Sequence, residues 1–158
     1  MEIKDSGERR EFGSGAVRDC AEGKGRCDLL ALDIVSDVLG ELLFESIDRY
    51  IRTGDTLNLH RALVGFMDKY YPSRADAILD VAKQYEEGAK KYAERNWEKG
   101  IPLHCYIDSG VRHLLKFIRG DKDEPHDRAF MWNMFGALWT HENHPELIDL
   151  PFKEQNNE

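Results

Sequence analysis

At 158 residues, with 41% hydrophobic and 33% charged side chains, the chain has the makings of one folded domain with a real core. Its formal net charge of −8 argues against a nucleic-acid partner, which calls for a basic face, but not against a nucleotide, whose phosphates can meet carboxylates through a metal ion. No apolar run approaches the roughly 20 residues that span a bilayer, the polar N-terminus has no secretion-signal core, and Cys20, Cys27 and Cys105 fit reduced thiols of a cytoplasmic protein.

Residues 1–27 are rich in glycine and charge and read as an arm whose outer part is mobile. A helical segment over 28–72 follows. Asp28 is a candidate N-cap for a helix to about Arg52, with Val35, Val38, Leu39, Leu42, Leu43 and Ile47 at helical spacing. Thr53-Gly54-Asp55 breaks it. A short helix through Leu57, Leu63, Val64, Phe66 and Met67 then runs to Tyr71-Pro72, where the proline disfavours helix at the preceding residue.

A helical core is expected over 73–143. Ser73 caps its first helix, with Asp76 three residues on and an apolar stripe of Ile78, Val81, Ala82, Tyr85, Ala89 and Tyr92. Arg95 to Pro102 reads as an irregular loop. A helix from about His104 to Arg119 turns Ile107, Val111, Leu114, Leu115 and Ile118 inward and stops at Gly120. Pro125 suits the first position of the last helix, which runs to about Glu142 and is apolar nearly all round, as a central helix is. Residues 144–158 form a tail. No segment alternates with period two over a useful length, so no sheet is expected and the fold class is all-α.

The chemistry-bearing candidates lie mostly in that core. Helical phase sets Glu86 beside Ala82 and Ala89 at the edge of the stripe and turns Glu87 about 100° further toward solvent. Carboxylates of this kind are surface acids by default, and Glu86 is the better placed of the two to act. Asp121, Asp123 and Glu124 precede a helix N-terminus, whose dipole they complement; Asp121 and Glu124 also offer hard oxygens to a cation. His126 and Asn133, seven residues apart, share one helix face with Ala129 and Ala137, a row that suits either a satisfied core or a ligand pocket. His113 lies off the apolar stripe of its helix. Lys24, Arg26, Lys90, Lys91 and Arg95 are candidates for phosphate contacts, and Trp97 can stack on a base or plug the core.

Several alternatives lack their context. Gly13-Ser14-Gly15 precedes no strand, so there is no phosphate loop. A zinc site of Cys20, Cys27, His104 and Cys105 has no familiar ligand spacing. His126-Asp127 is similar to the dyad of the helical HD phosphohydrolases, but needs a second histidine, His104 or His113, and Asp149 to complete it.

One resemblance is long enough to be specific. Gly15-Ala16-Val17-Arg18-Asp19, Gly23-Lys24-Gly25-Arg26, Tyr85-Glu86, Arg95-Asn96-Trp97-Glu98-Lys99-Gly100, Arg112-His113-Leu114, Asp123-Glu124, His126 and Trp132-Asn133 resemble the phage dATP/dGTP diphosphohydrolase (MazZ-like) family. The resemblance implies an all-α MazG-like bundle, here with an extra N-terminal helical segment, in a phage-encoded cytoplasmic enzyme. It also implies Mg²⁺-dependent (or Mn²⁺-dependent) hydrolysis of dGTP or dATP to the monophosphate and pyrophosphate, and a homodimer or homotetramer. On that reading Glu86, Asp121 and Glu124 hold the metal, and Glu86, Glu124 and His126 are catalytic. Lys24, Arg26, Lys90, Lys91, Arg95, Asn96, Trp97, His113 and Asn133 bind substrate. The rival readings are an HD-type phosphohydrolase and a non-catalytic nucleotide-binding or interaction protein.

Overall fold

The computed structural model describes residues 3–155, so the extreme ends of the 1–27 arm and of the 144–158 tail lie outside it. Seven α-helices carry the fold among the described residues: α1 (Leu32–Leu39), α2 (Leu43–Thr53), α3 (Leu57–Tyr70), α4 (Arg74–Lys91), α5 (Leu103–Arg119), α6 (His126–Asn143) and the short α7 (Phe152–Gln155). The all-α class expected from the apolar periods is what the chain adopts. No helix among the described residues is long and apolar enough to cross a membrane.

Several expectations need correction. The first concerns the arm. Residues Arg9–Glu11 (β1) and Val17–Asp19 (β2) pair as an antiparallel hairpin, with Arg9 opposite Asp19, Arg10 opposite Arg18 and Glu11 opposite Val17. Three-residue strands are too short to show a period, which is why no sheet was expected. The hairpin is fastened to the helices by Asn96, whose side-chain amide donates to the Val17 carbonyl and accepts from the Val17 N–H, both at 2.8 Å, as a third strand would. The second concerns the long helix expected over Asp28 to Arg52. It is two helices, because Gly40 takes a left-handed conformation (φ 66°) that ends α1. Asp28 caps nothing; it lies in a 3-10 turn over Cys27–Leu29 and is gripped by Arg26.

The Ser73 cap forms as expected, its hydroxyl accepting from the Asp76 N–H at 3.1 Å. The stripe of α4 is rotated, however: Ala77 and Val81 are buried, while Ile78 and Leu79 are exposed. Gly120 ends α5 at φ 90°, and Pro125 stands one residue earlier than expected, at the N-cap of α6.

The core continues from Phe44, Ile47, Tyr50, Leu59 and Phe66 in α2 and α3 to Val111, Leu114, Phe130 and Met134 in α5 and α6. The α5–α6 pair approaches closely because glycines face it. A Cβ on Gly136 would stand 2.2 Å from the Tyr106 ring, and one on Gly110 would stand 2.7 Å from Met134. This tight pairing brings the C-terminal half of α5 and the start of α6 side by side, with their polar residues facing one another.

Candidate active site

A cavity of about 810 Å³ opens between the hairpin, the Cys20–Lys24 segment, α4, the Arg95–Trp97 turn, α5 and α6. Its walls divide by chemistry. One wall is cationic. Arg10 and Arg18, directly opposite on the two strands, both line it, as do Lys24, Arg112 and Lys116. Like charges paired across strands destabilise a hairpin, so this pairing is a cost that local folding does not recover.

Arg18 is the centre of that wall. Its guanidinium lies 5.5 Å from the Tyr106 ring centre and 5.3 Å from that of Trp132, and donates to the Asn133 Oδ1 at 3.1 Å. All its partners are neutral. Burial lowers its pKa from the usual arginine value, and no carboxylate offsets that. Arg112 is nine-tenths buried. One Nη donates to Asp108 at 2.6 Å and also to the Gly25 carbonyl, while its Nε is buried without a partner. The Nε of Arg10 is likewise buried and unpartnered. Lys24, Lys116, Arg10 and Arg18 form no ion pair among the described residues.

The second wall carries histidines and carboxylates. His113 and Glu124 line the cavity, and His126 lies buried behind them. The Nδ1 atoms of His113 and His126 face each other at 2.9 Å, and the Nε2 of His126 is 2.7 Å from an Asp123 carboxylate oxygen. Burial, followed by His126, Arg18, Lys116 and Arg112, holds the pKa of His113 well below 6.5, so it is neutral at pH 7. Asp123 in turn is paired with Lys4 at 2.8 Å, and its carboxyl is held well below the usual range by Lys4 and His126. Tyr85, Trp97 and Trp132 supply aromatic surface between the walls. Trp97 stands edge-on to both Tyr85 and Trp139.

The expected site residues therefore separate. Glu86, Lys24, Lys91, Arg95, Asn96, Trp97, His113, Glu124 and Asn133 all border the cavity. Arg26 does not, being bound to Asp28 through two nitrogens at 2.8 and 2.7 Å. Lys91 is nearly buried and committed to Asp19 and the Lys4 carbonyl. Lys90 faces Glu87 at 3.3 Å, and Arg95 pairs with Glu98. Asn96 is spent on Val17, and Asn133 donates to the Ala129 carbonyl at 2.8 Å, leaving its oxygen for Arg18. Glu86 is more exposed than Glu87, the reverse of the expected order, yet it is Glu86 that borders the cavity.

The expected metal set of Glu86, Asp121 and Glu124 is not assembled. Asp121 is held by Arg119, and among the described residues the groupings able to hold a metal are His113, Glu124 and His126, or Asp121, Asp123 and His126. Neither includes Glu86 or a cysteine. The HD arrangement fails too: Asp127 accepts from the Tyr71 hydroxyl at 3.1 Å, and Asp149 binds the His104 ring.

Sequence reasoning quoted Arg18 and Arg112 only within the family-like runs and gave them no role, and it read Asp123 as one of the acids before a helix N-terminus. Arg112 had a local signal in Asp108, one helical turn before it, but a surface ion pair has the same spacing.

Fold and cavity together define an α-helical protein with a pocket lined both by cations and by a histidine–carboxylate group. The chain belongs to the dATP/dGTP diphosphohydrolase family: the model of that family's N-terminal domain matches residues 63–150, from within α3 to just before α7. No curated relative and no solved structure matches it.

Proposed function

We propose that the chain hydrolyses dGTP or dATP to the monophosphate and pyrophosphate within this cavity. Family membership supports a nucleotide diphosphohydrolase. The observation that carries the reading is the cationic wall: Arg18 and Arg10 are turned into the cavity with no carboxylate to neutralise them, and a polyphosphate supplies the missing charge. Guanidinium donors held before substrate arrives are suited to the oxygens on which charge builds during attack at phosphorus.

Tyr85, Trp97 and Trp132 offer faces and edges for a purine ring, and the Asn133–Arg18 pair closes the floor between base and phosphates. Glu86, without an ion pair among the described residues, is the carboxylate proposed to accept the proton of the attacking water. Among the described residues Glu86, Asp121 and Glu124 do not come together as one set of ligands for a Mg²⁺ ion.

The test is incubation of the purified protein with each deoxynucleoside triphosphate and a divalent cation, resolving pyrophosphate, orthophosphate and triphosphate. Pyrophosphate with dGMP or dAMP is the expected result. Orthophosphate, triphosphate or bare nucleotide binding sinks the proposal.

A further inference from the structure

The geometry points to a divalent-metal site formed by His113, Glu124 and His126, with Asp123 as its positioning residue, that takes a transition ion such as Mn²⁺, Co²⁺ or Zn²⁺ in preference to Mg²⁺. It deepens the reading above, since this ion would stand in the wall of the same cavity.

The case begins with protons. The Nε2 of His126 lies 2.7 Å from an acceptor-only carboxylate, Asp123, so that nitrogen carries the hydrogen. In the neutral ring the Nδ1 of His126 is then a lone pair, and the Nδ1 of His113 stands 2.9 Å from it. In the free protein one proton on His113 Nδ1 bridges the two rings. A metal takes its place when that proton moves to the other nitrogen of His113, with no net proton lost. Two metal–nitrogen bonds of about 2.0–2.1 Å at angles near 90–110° set their nitrogens about 2.9–3.4 Å apart, so the two nitrogens already stand at a suitable separation and the rings have only to tilt to aim both lone pairs at one ion. A Glu124 oxygen completes the group, all three ligand atoms lying within 4.8 Å of one another.

The surroundings agree. A carboxylate bound to the far nitrogen of a ligating histidine is the usual device for fixing its tautomer and raising its basicity. His113 and Glu124 border the cavity, so the remaining coordination positions face the place where substrate would lie. Two imidazoles and one carboxylate favour borderline transition ions, whereas Mg²⁺ prefers oxygen ligands and keeps its water. The competing group, Asp121, Asp123 and His126, is poorer because Arg119 holds Asp121 and Lys4 holds Asp123. Arg18, Lys116 and Arg112 oppose a cation here, and the Glu124 carboxylate among the ligands counters them in part.

The experiment is metal binding to the full chain, stripped with a chelator and free of nucleotide. Titration with Co²⁺ should show one equivalent bound with a visible d–d absorption band, and calorimetry should find Mn²⁺, Co²⁺ or Zn²⁺ bound at least about 100-fold more tightly than Mg²⁺. His113→Gln and Glu124→Gln should each remove the band, and Asp123→Asn should weaken Co²⁺ about 10–100-fold. Circular dichroism checks folding; if His113→Gln does not fold, Glu124→Gln, on a loop, decides. No Co²⁺ uptake, equal affinity for Mg²⁺, or a band that survives Glu124→Gln overturns the proposal. Co²⁺ uptake without nucleotide turnover supports the site and counts only against the proposed reaction.

Discussion

The α1–α3 segment and the α5–α6 pair bury their side chains differently. In the former, Phe44, Ile47, Tyr50, Leu59 and Phe66 form a mostly apolar interior, and the buried polar residues are Ser36, Asp48 and Asn58. Asp48 is relieved by Arg52 at 2.8 Å, and Ser36 by the Glu41 carbonyl at 3.0 Å. Between residues 96 and 140, Asn96, Asp108, Ser109, Arg112, His126, Arg128, Asn133 and Thr140 are all buried. Several of these turn toward the cavity, and some keep donors unsatisfied. Burying polar groups is costly unless they are paired. The first region follows the rules of a stable core; the second departs from them where the cavity lies, as a site with a ligand does.

The contrast predicts that substitutions in the first region act on stability and those in the second on turnover. Phe66→Ala should have the largest effect, because Phe66 is fully buried against Phe130, Phe117 and Tyr70. A loss of about 3–5 kcal/mol in denaturant unfolding is expected, with the folded fraction still competent. Arg18→Met should do the opposite. It removes a charge that has no ionic partner, so unfolding should change little, while pyrophosphate release falls about 10²–10³-fold. Comparable destabilisation by the two variants would erase the distinction between the regions.

Asn96→Ala tests the joint between hairpin and helices. It strips the Val17 amide and carbonyl of both partners, at about 1–3 kcal/mol. Hydrogen exchange should rise at Val17 and across the hairpin before it rises in α2 or α3.

A smaller effect is expected at the His104–Asp149 pair. The bond to Asp149, helped by Cys105, raises the pKa of His104 from 6.5 to about 10. A raised histidine pKa means the folded state holds its proton more tightly. The pair's contribution is therefore complete below about pH 6.5 and is lost as the pH climbs toward 10. The stability gap between the parent and His104→Gln should be larger at pH 6 than at pH 10, and a constant gap would contradict it.

Glu87→Gln should matter least. Its carboxylate faces Lys90 outside the cavity, so stability should move by no more than about 0.5 kcal/mol with turnover intact. Glu86→Gln should lower turnover about 10²-fold or more. If the adjacent pair respond alike, the role proposed for Glu86 is wrong.

Much of the fold was legible because helices announce themselves locally. Ser73 as a cap, Gly120 as a stop and the apolar character of α6 follow from contacts within a few residues, and each appears within a residue or so of its expected place. The family was legible for a related reason, since its blocks are short runs such as Arg95 to Gly100 that need no partner to be read. The split at Gly40 was missed because the apolar spacing runs on through it, and the rotation of α4 because its stripe admits two phases.

What only the tertiary structure decided is which charges meet. Sequence placed Asp121 and Glu124 together as ligands by their spacing, but Arg119 takes Asp121, and His113, thirteen residues before His126, joins Glu124 instead. Arg18 stood in the sequence only as a member of the Gly15-to-Asp19 run, and it is the hairpin that sets it among Tyr106, Trp132 and Asn133. A charge's role depends on its distance to every other charge and on the water removed from around it. Those quantities are set by packing between elements far apart in the chain, whereas a helix needs only the residues three and four places away.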